Sequence, residues 1–313
     1  MKLASYLSGA ERRVGATAGD DLIDLTRAHA DLLRAQGETE ANAIAAAELP
    51  GDVVRILARP SGVETACTAF EHGVALEDSH ARRAGVRVAS ADVELLPPVP
   101  NPPKIICVAR NYAEHAREAG LQVSEIPILF PRFPATLVAH GQPVLRPTVS
   151  EQLDWEGELA VVIARGGRHI TRADALGHVA GYSIFNDVTV RDYQFRVTQY
   201  TAGKNFSASG PFGPHLVLTD EIADPAELEI VTEISGVEMQ RASTADMIFD
   251  VPMLIEHISE FIELEPGDVI ATGTPAGVGF KREPPRFLVP GDVMCVTISG
   301  IGTLENPIAD ERP

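Results

Sequence analysis

The chain has 313 residues, 45% hydrophobic and 22% charged, a balance that suits one large or two modest globular domains. Its 26 Lys and Arg against 44 Asp and Glu leave a formal net charge of −18, which repels phosphate backbones and anionic lipid and argues against nucleic acid and membranes as partners. Cys67, Cys107 and Cys295 form no CxxC pair, so neither a disulfide framework nor a zinc knuckle is expected, and with no leader-like apolar segment read at the N-terminus the expected location is the cytoplasm.

In chain order, residues 2–7, 22–25 and 86–89 read as strands, and 41–49 and 52–58 as helices broken by Pro50-Gly51. Residues 1–95 carry no catalytic constellation and are expected to form a small N-terminal domain. Pro97, Pro98, Pro100, Pro102 and Pro103 then interrupt the chain. Such a run cannot be a helix or a central strand, so 96–104 is the expected linker and 105–313 the second, larger domain. There, strand-like runs at 105–108, 159–164, 180–185, 228–234, 269–272 and 293–298 outnumber helices. The expected fold class is α+β, β-rich and mixed. No GxGxxG or Walker loop points to a nucleotide-binding sheet.

The first chemical feature after the linker is ARNYAEHAREAG, residues 109–120. His115 and Glu118 are three apart, side by side on a helix, where the carboxylate fixes the imidazole's tautomer and raises its basicity. The same spacing describes an ordinary surface helix. Gly120 at its end and the proline-rich 126–134 that follows suggest a lid that closes over a ligand. His140, His169, His178, His215 and His257 read as background.

Next comes DWEGELAVVIAR, residues 154–165. In a strand, Glu156 and Glu158 project from one face about 7 Å apart. They repel each other unless a cation lies between them, and an oxygen-only set suits Mg²⁺ or Mn²⁺. A solvated strand face fits the spacing too. The apolar run at 181–185 stops at Asn186-Asp187, which places a third carboxylate at a strand end. Arg191 and Gln194 follow on one face of a turn or short helix, where they can orient a substrate carboxylate or carbonyl; an ordinary surface pair of Arg191 and Asp192 fits the sequence equally well. Lys204, in GKNF, is one of few lysines in an acidic chain and can neutralise a substrate carboxylate. Residues 251–262 read as an amphipathic helix capped by Asp250, and PGDV at 266 and 290 as turns feeding strands. The segment 271–280, ATGTPAGVGF, offers the Thr274 hydroxyl among turn glycines.

Taken in order, NYAEHAREAG, EGELAVVI, AGYSIFNDVTVRDYQ, GKNF, GPHLV, STADMIF, LEPGDVIATGTPAGVGF and PGDVMCVTISGIGTLENP resemble the fumarylacetoacetate hydrolase family over roughly residues 104–307. The resemblance implies a β-rich catalytic core, a homodimer, and Mg²⁺ or Mn²⁺ on Glu156, Glu158 and Asp187. It also implies catalytic roles for His115, Glu118 and Lys204, with Arg110, Arg191, Gln194 and Thr274 near a small oxo-acid substrate. The implied reaction is metal-dependent hydrolysis of a C–C bond in a 2,4-dioxo acid. Isomerisation of an unsaturated oxo-diacid and decarboxylation of oxaloacetate are alternatives on the same chelate. Two departures stand out: Ala109 where glycine is common, and Arg132 in FPRFP where many members carry a lysine.

Overall fold

A computed structural model describes residues 1–118 and 123–312. The dominant element is a mixed sheet. Its order runs from Arg87–Ala89 at one edge through Asp21–Asp24, Glu11–Ala18, Lys2–Ser8, Gly210–Leu218, Val179–Asn186, Gly157–Ile163, Val269–Ala271 and Ile105–Ala109 to Ile128–Arg132. A second sheet orders Val237–Ser243, Glu229–Ile234, Val293–Ile298, Gly302–Asp310 and Val144–Arg146. With few helices, the architecture is the β-rich mixed fold expected from the sequence.

Residues 1–95 add strands to the same sheet, because Lys2–Ser8 pairs antiparallel with Gly210–Leu218, Lys2 opposite Val217. The proline-rich segment packs against this junction. Leu96 N donates to Ser5 O, Ser5 Oγ donates to Pro98 O, and Val99 is fully buried. Within 1–95, the strand Glu11–Ala18 and the helices Leu25–Ala35 and Gly62–Ala75 were not expected. The run expected as a strand to residue 25 ends one residue earlier. There Asp24 accepts a hydrogen bond from Arg27 N, capping the helix that Leu25 begins.

Two central strands, Gly157–Ile163 and Val179–Asn186, are buried along their whole length. Their alternate residues feed two cores. Ala160 and Val162 join the cluster containing Ala28, Val53, Ile56 and Ala69 from the N-terminal helices. Leu159, Val161 and Ile163 join the one containing Leu254, Ile255 and Ile258, on the helix Val251–Phe261, together with Ile230 and Val296 of the second sheet. By the same alternation Glu156 and Glu158 share the face of Ala160 and Val162. The antiparallel register, Glu158 opposite Phe185 and Gly157 opposite Asn186, sets the end of one strand beside the start of the other. Asp187 N therefore donates to Glu156 O at 2.9 Å.

A candidate metal and oxo-acid site

Carboxylate oxygens of Glu156, Glu158 and Asp187 lie within 4.8 Å of one another, and all three residues are buried. An octahedron with bonds of about 2.1 Å has edges near 3.0 Å and diagonals near 4.2 Å, so small inward shifts bring three oxygens onto one small cation. The donor chemistry fits as well, being all oxygen and formally anionic. Glu158 is the telling member. It accepts from Gly273 N at 2.8 Å but has no cationic side chain bonded to it among the described residues. Burial, then Asp187 and Glu156, push its carboxyl well above the usual carboxylate range. A divalent cation would remove that penalty.

The other two carboxylates are held by a buried cationic shell. Lys204 Nζ donates to Glu156 Oε2 at 2.7 Å, to Asp187 Oδ2 at 2.6 Å and to Asp187 O at 3.2 Å, using all three of its protons. Arg191 meets Glu156 Oε1 at 2.6 Å and Asp154 Oδ2 at 2.8 Å. Burial would raise the Glu156 pKa, but Lys204 and Arg191 outweigh it and hold it down to about 2. Burial likewise opposes the charge on Lys204, and Asp187 and Glu156 outweigh it, raising its pKa.

Arg132, the departure from the family's lysine, has a defined place. Its Nη1 contacts Asp187 Oδ1 at 2.5 Å and Val188 O at 3.1 Å, and Nη2 contacts Ser209 O at 2.6 Å. Sequence reasoning noted its charge but missed this grip on Asp187. It also missed Asp154, which accepts from Arg191, Gly279 N and Phe280 N. The acidic alternation 154, 156, 158 was the available signal.

His115 and Glu118 fall on the helix Ala113–Glu118, with His115 Nδ1 3.4 Å from Glu118 Oε2. Glu118 is anchored in turn by Gly277 N at 3.1 and 3.2 Å. Gly120, the expected end of the lid, lies outside the described residues. Gln194 accepts from Arg191 Nη1 at 3.0 Å. The Thr274 hydroxyl donates to Gly157 O at 3.0 Å and accepts from Gln240 Nε2 at 2.8 Å, so it braces the start of the Gly157–Ile163 strand.

One cavity of about 80 Å³ collects Arg110, His115, Glu156, Arg191, Gln194, Lys204 and Thr274. Its remaining walls include Phe130, Phe195, Tyr200 and Phe280, with Phe280 stacked 4.3 Å from the Arg191 guanidinium carbon. Two short helical turns, Arg191–Gln194 and Thr201–Lys204, supply its cationic side. Their close approach needs Gly203, where a Cβ would meet Gln194 Cα, Cβ and N at 2.6 Å. Gly203→Ala is therefore expected to displace both Lys204 and Gln194 and to cost about 1–3 kcal/mol, read as a lower denaturation midpoint.

Residues 104–309 match the family described as Fumarylacetoacetate (FAA) hydrolase C-terminal. The chain belongs to this family. Among its relatives, the oxaloacetate tautomerase YisK of Bacillus subtilis (strain 168) is 46% identical over 222 residues, spanning 70% of this chain and 74% of the relative. The mitochondrial oxaloacetate tautomerase fahd2 of Xenopus laevis is 41% identical over 223 residues, spanning 71% and 70%. A solved fumarylacetoacetate hydrolase from psychrophilic Exiguobacterium antarcticum superposes with a TM-score of 0.78 at 34% identity, covering 99% of this chain and 100% of that one. Maleylpyruvate hydrolase from Sphingobium sp. SYK-6, solved with manganese(II) ion and pyruvate, gives a TM-score of 0.73 at 28% identity, with 100% of both chains covered. These relatives in the fumarylacetoacetate hydrolase family are enzymes of small oxo-acids. Among the described residues, no helix is long and apolar enough to cross a membrane.

Proposed function

We propose that this enzyme interconverts the keto and enol forms of oxaloacetate, or of a closely similar small 2-oxo diacid, with Mg²⁺ or Mn²⁺ held by Glu156, Glu158 and Asp187. The observation that carries the reading is the 46% identity to an oxaloacetate tautomerase over 222 residues, 70% of this chain. The cavity supports it, since about 80 Å³ is well below the roughly 300–1,000 Å³ of pockets for drug-sized ligands and suits an acid of few carbons. When bound, the cation supplies Lewis acidity at the substrate's 2-oxo oxygen.

The chain's own residues supply the proton transfers. Glu118, held by Gly277 N, accepts from His115 Nδ1 and leaves Nε2 as the basic nitrogen. Nε2 takes a proton from C3. The C–H pair becomes the C2=C3 bond, and the same imidazolium returns its proton to the 2-oxygen. No water is consumed. Lys204 and Arg191 keep Glu156 ionised, Lys204 and Arg132 hold Asp187 in place, and Phe130, Tyr200 and Phe280 wall the cavity.

A second reading, hydrolysis of a C–C bond in a 2,4-dioxo acid, is supported by the likeness to maleylpyruvate hydrolase. It uses the same dyad to draw a proton from water. Isomerisation of an unsaturated oxo-diacid and decarboxylation of oxaloacetate would draw on the same chelate. The reading includes a cytoplasmic homodimer, for which light scattering should give twice the chain mass of 33.5 kDa. The reaction is tested by offering oxaloacetate, acylpyruvates and unsaturated oxo-diacids to EDTA-stripped protein with Mg²⁺ or Mn²⁺ restored. Tautomerisation of oxaloacetate should be the fastest reaction. Faster cleavage of an acylpyruvate would replace this reading with the hydrolytic one.

A further inference from the structure

The cavity's cations differ in how far their charge is already matched. Lys204 has no free proton, since Glu156 and Asp187 take all three. Arg191 keeps a buried Nη2 without a partner, but its charge is matched by Asp154 and Glu156. Arg110 is different. It lines the same cavity, its Nε is buried without a hydrogen-bond partner, and no carboxylate among the described residues pairs with its guanidinium. In a chain of net charge −18, an arginine left without an acid beside a binding cavity is available to a ligand's acid.

Its backbone is fixed for that purpose. Arg110 has φ of 58°, in the left-handed region that a residue with a long side chain rarely adopts. The conformation is imposed from both sides. The strand Ile105–Ala109 precedes it, and the fully buried Asn111 follows, donating to Phe249 O at 2.9 Å and Thr272 O at 2.8 Å and accepting from Phe249 N at 2.8 Å. Strain kept in place by such over-determination concentrates at ligand sites.

Resting on the oxo-acid reading above, we propose that Arg110 is a specificity-determining residue. It pairs with the distal carboxylate of a diacid, the one not beside the 2-oxo group, and so selects oxo-diacids over oxo-monoacids. A diacid brings two negative charges. The metal end of the cavity takes one, and Arg110 is the lining cation whose charge remains for the other.

The test uses the full chain loaded with Mn²⁺ and titrates pyruvate and oxaloacetate, which differ by the distal carboxylate. Arg110→Asn is the chosen variant, because asparagine tolerates the left-handed conformation. Arg110→Lys keeps the charge without the planar fork. Calorimetry should show Arg110→Asn weakening oxaloacetate about 10- to 100-fold while pyruvate stays within about twofold of the parent. Arg110→Lys should fall between. Equal weakening of both acids would make Arg110 a structural residue and overturn the proposal. So would unchanged discrimination in Arg110→Asn, or a parent enzyme that binds the two acids equally. The two readings fail separately. Arg110-dependent preference for oxaloacetate without tautomerisation removes the reaction assigned above and leaves this proposal. Tautomerisation with discrimination unaltered in Arg110→Asn does the reverse.

Discussion

Lys204→Met is expected to destabilise the metal-free protein by about 3–5 kcal/mol, the usual cost of leaving a buried charge without its partner. The cost falls on two carboxylates, because Nζ bridges Glu156 Oε2 and Asp187 Oδ2. The sequence offers this lysine to a substrate carboxylate, but its three protons go to Glu156 and Asp187, two carboxylates of the proposed metal site. The sign of the metal effect follows. A cation entering the triad can replace the missing ammonium, so Mg²⁺ or Mn²⁺ should stabilise the variant more than the parent and bind it more tightly. Substrate affinity should fall. Denaturant unfolding of EDTA-treated and metal-loaded protein checks this. A metal-free variant as stable as the parent would show that the lysine does not hold the triad.

His115→Ala is expected to lower oxaloacetate tautomerisation by about 10²- to 10⁴-fold, the range for loss of a general acid–base group. The cavity should survive, since His115 contributes one bond, to Glu118, and no bond to the triad. Metal and substrate affinities should then stay close to the parent's. Glu118→Ala should cost less, because Glu118 orients the imidazole from its anchor on Gly277 N. The same pair of variants separates the reactions that share the chelate. Decarboxylation needs no base at C3, so a decarboxylase would keep most of its rate in His115→Ala. Proton transfer at C3 cannot proceed that way. Turnover of both variants measured against metal affinity is the deciding comparison.

Much of this site could be read in the sequence because its signals are local. Glu156 and Glu158 share a face by the two-residue repeat of a strand, and Asp187 marks where an apolar run ends. Arg191 and Gln194 fall on one helical turn, as do His115 and Glu118. What escaped is non-local. Arg132 reaches Asp187 and Ser209, 55 and 77 residues away, and nothing in FPRFP announces either partner. Lys204 could be recognised as a scarce cation, but its bonds to Glu156 and Asp187 depend on how the Thr201–Lys204 turn packs. The continuation of the main sheet into Lys2–Ser8 depends on pairing with Val217 and Leu216, which the proline-rich segment between them conceals. The helix Gly62–Ala75 contains Gly62 and Gly73, a residue type that usually weakens helices. Its buried Ala66 and Ala69 join the same core as Ala28 and Ile56, and that burial stabilises it.

The central claim is that proton transfer on oxaloacetate depends on a cation at Glu156, Glu158 and Asp187. The direct measurement follows the ultraviolet absorbance of enol oxaloacetate with EDTA-stripped protein, then with Mg²⁺ or Mn²⁺ restored, in the parent and in Glu158→Gln. Glu158 is chosen because Gly273 N is its one hydrogen-bond partner among the described residues, so the change leaves the cationic shell intact. The expected result is no acceleration in stripped protein, recovery in the parent on adding metal, and little recovery in Glu158→Gln, with no pyruvate formed at the rate of enol loss. Full acceleration in the presence of EDTA, or enol loss matched by pyruvate release, would contradict it.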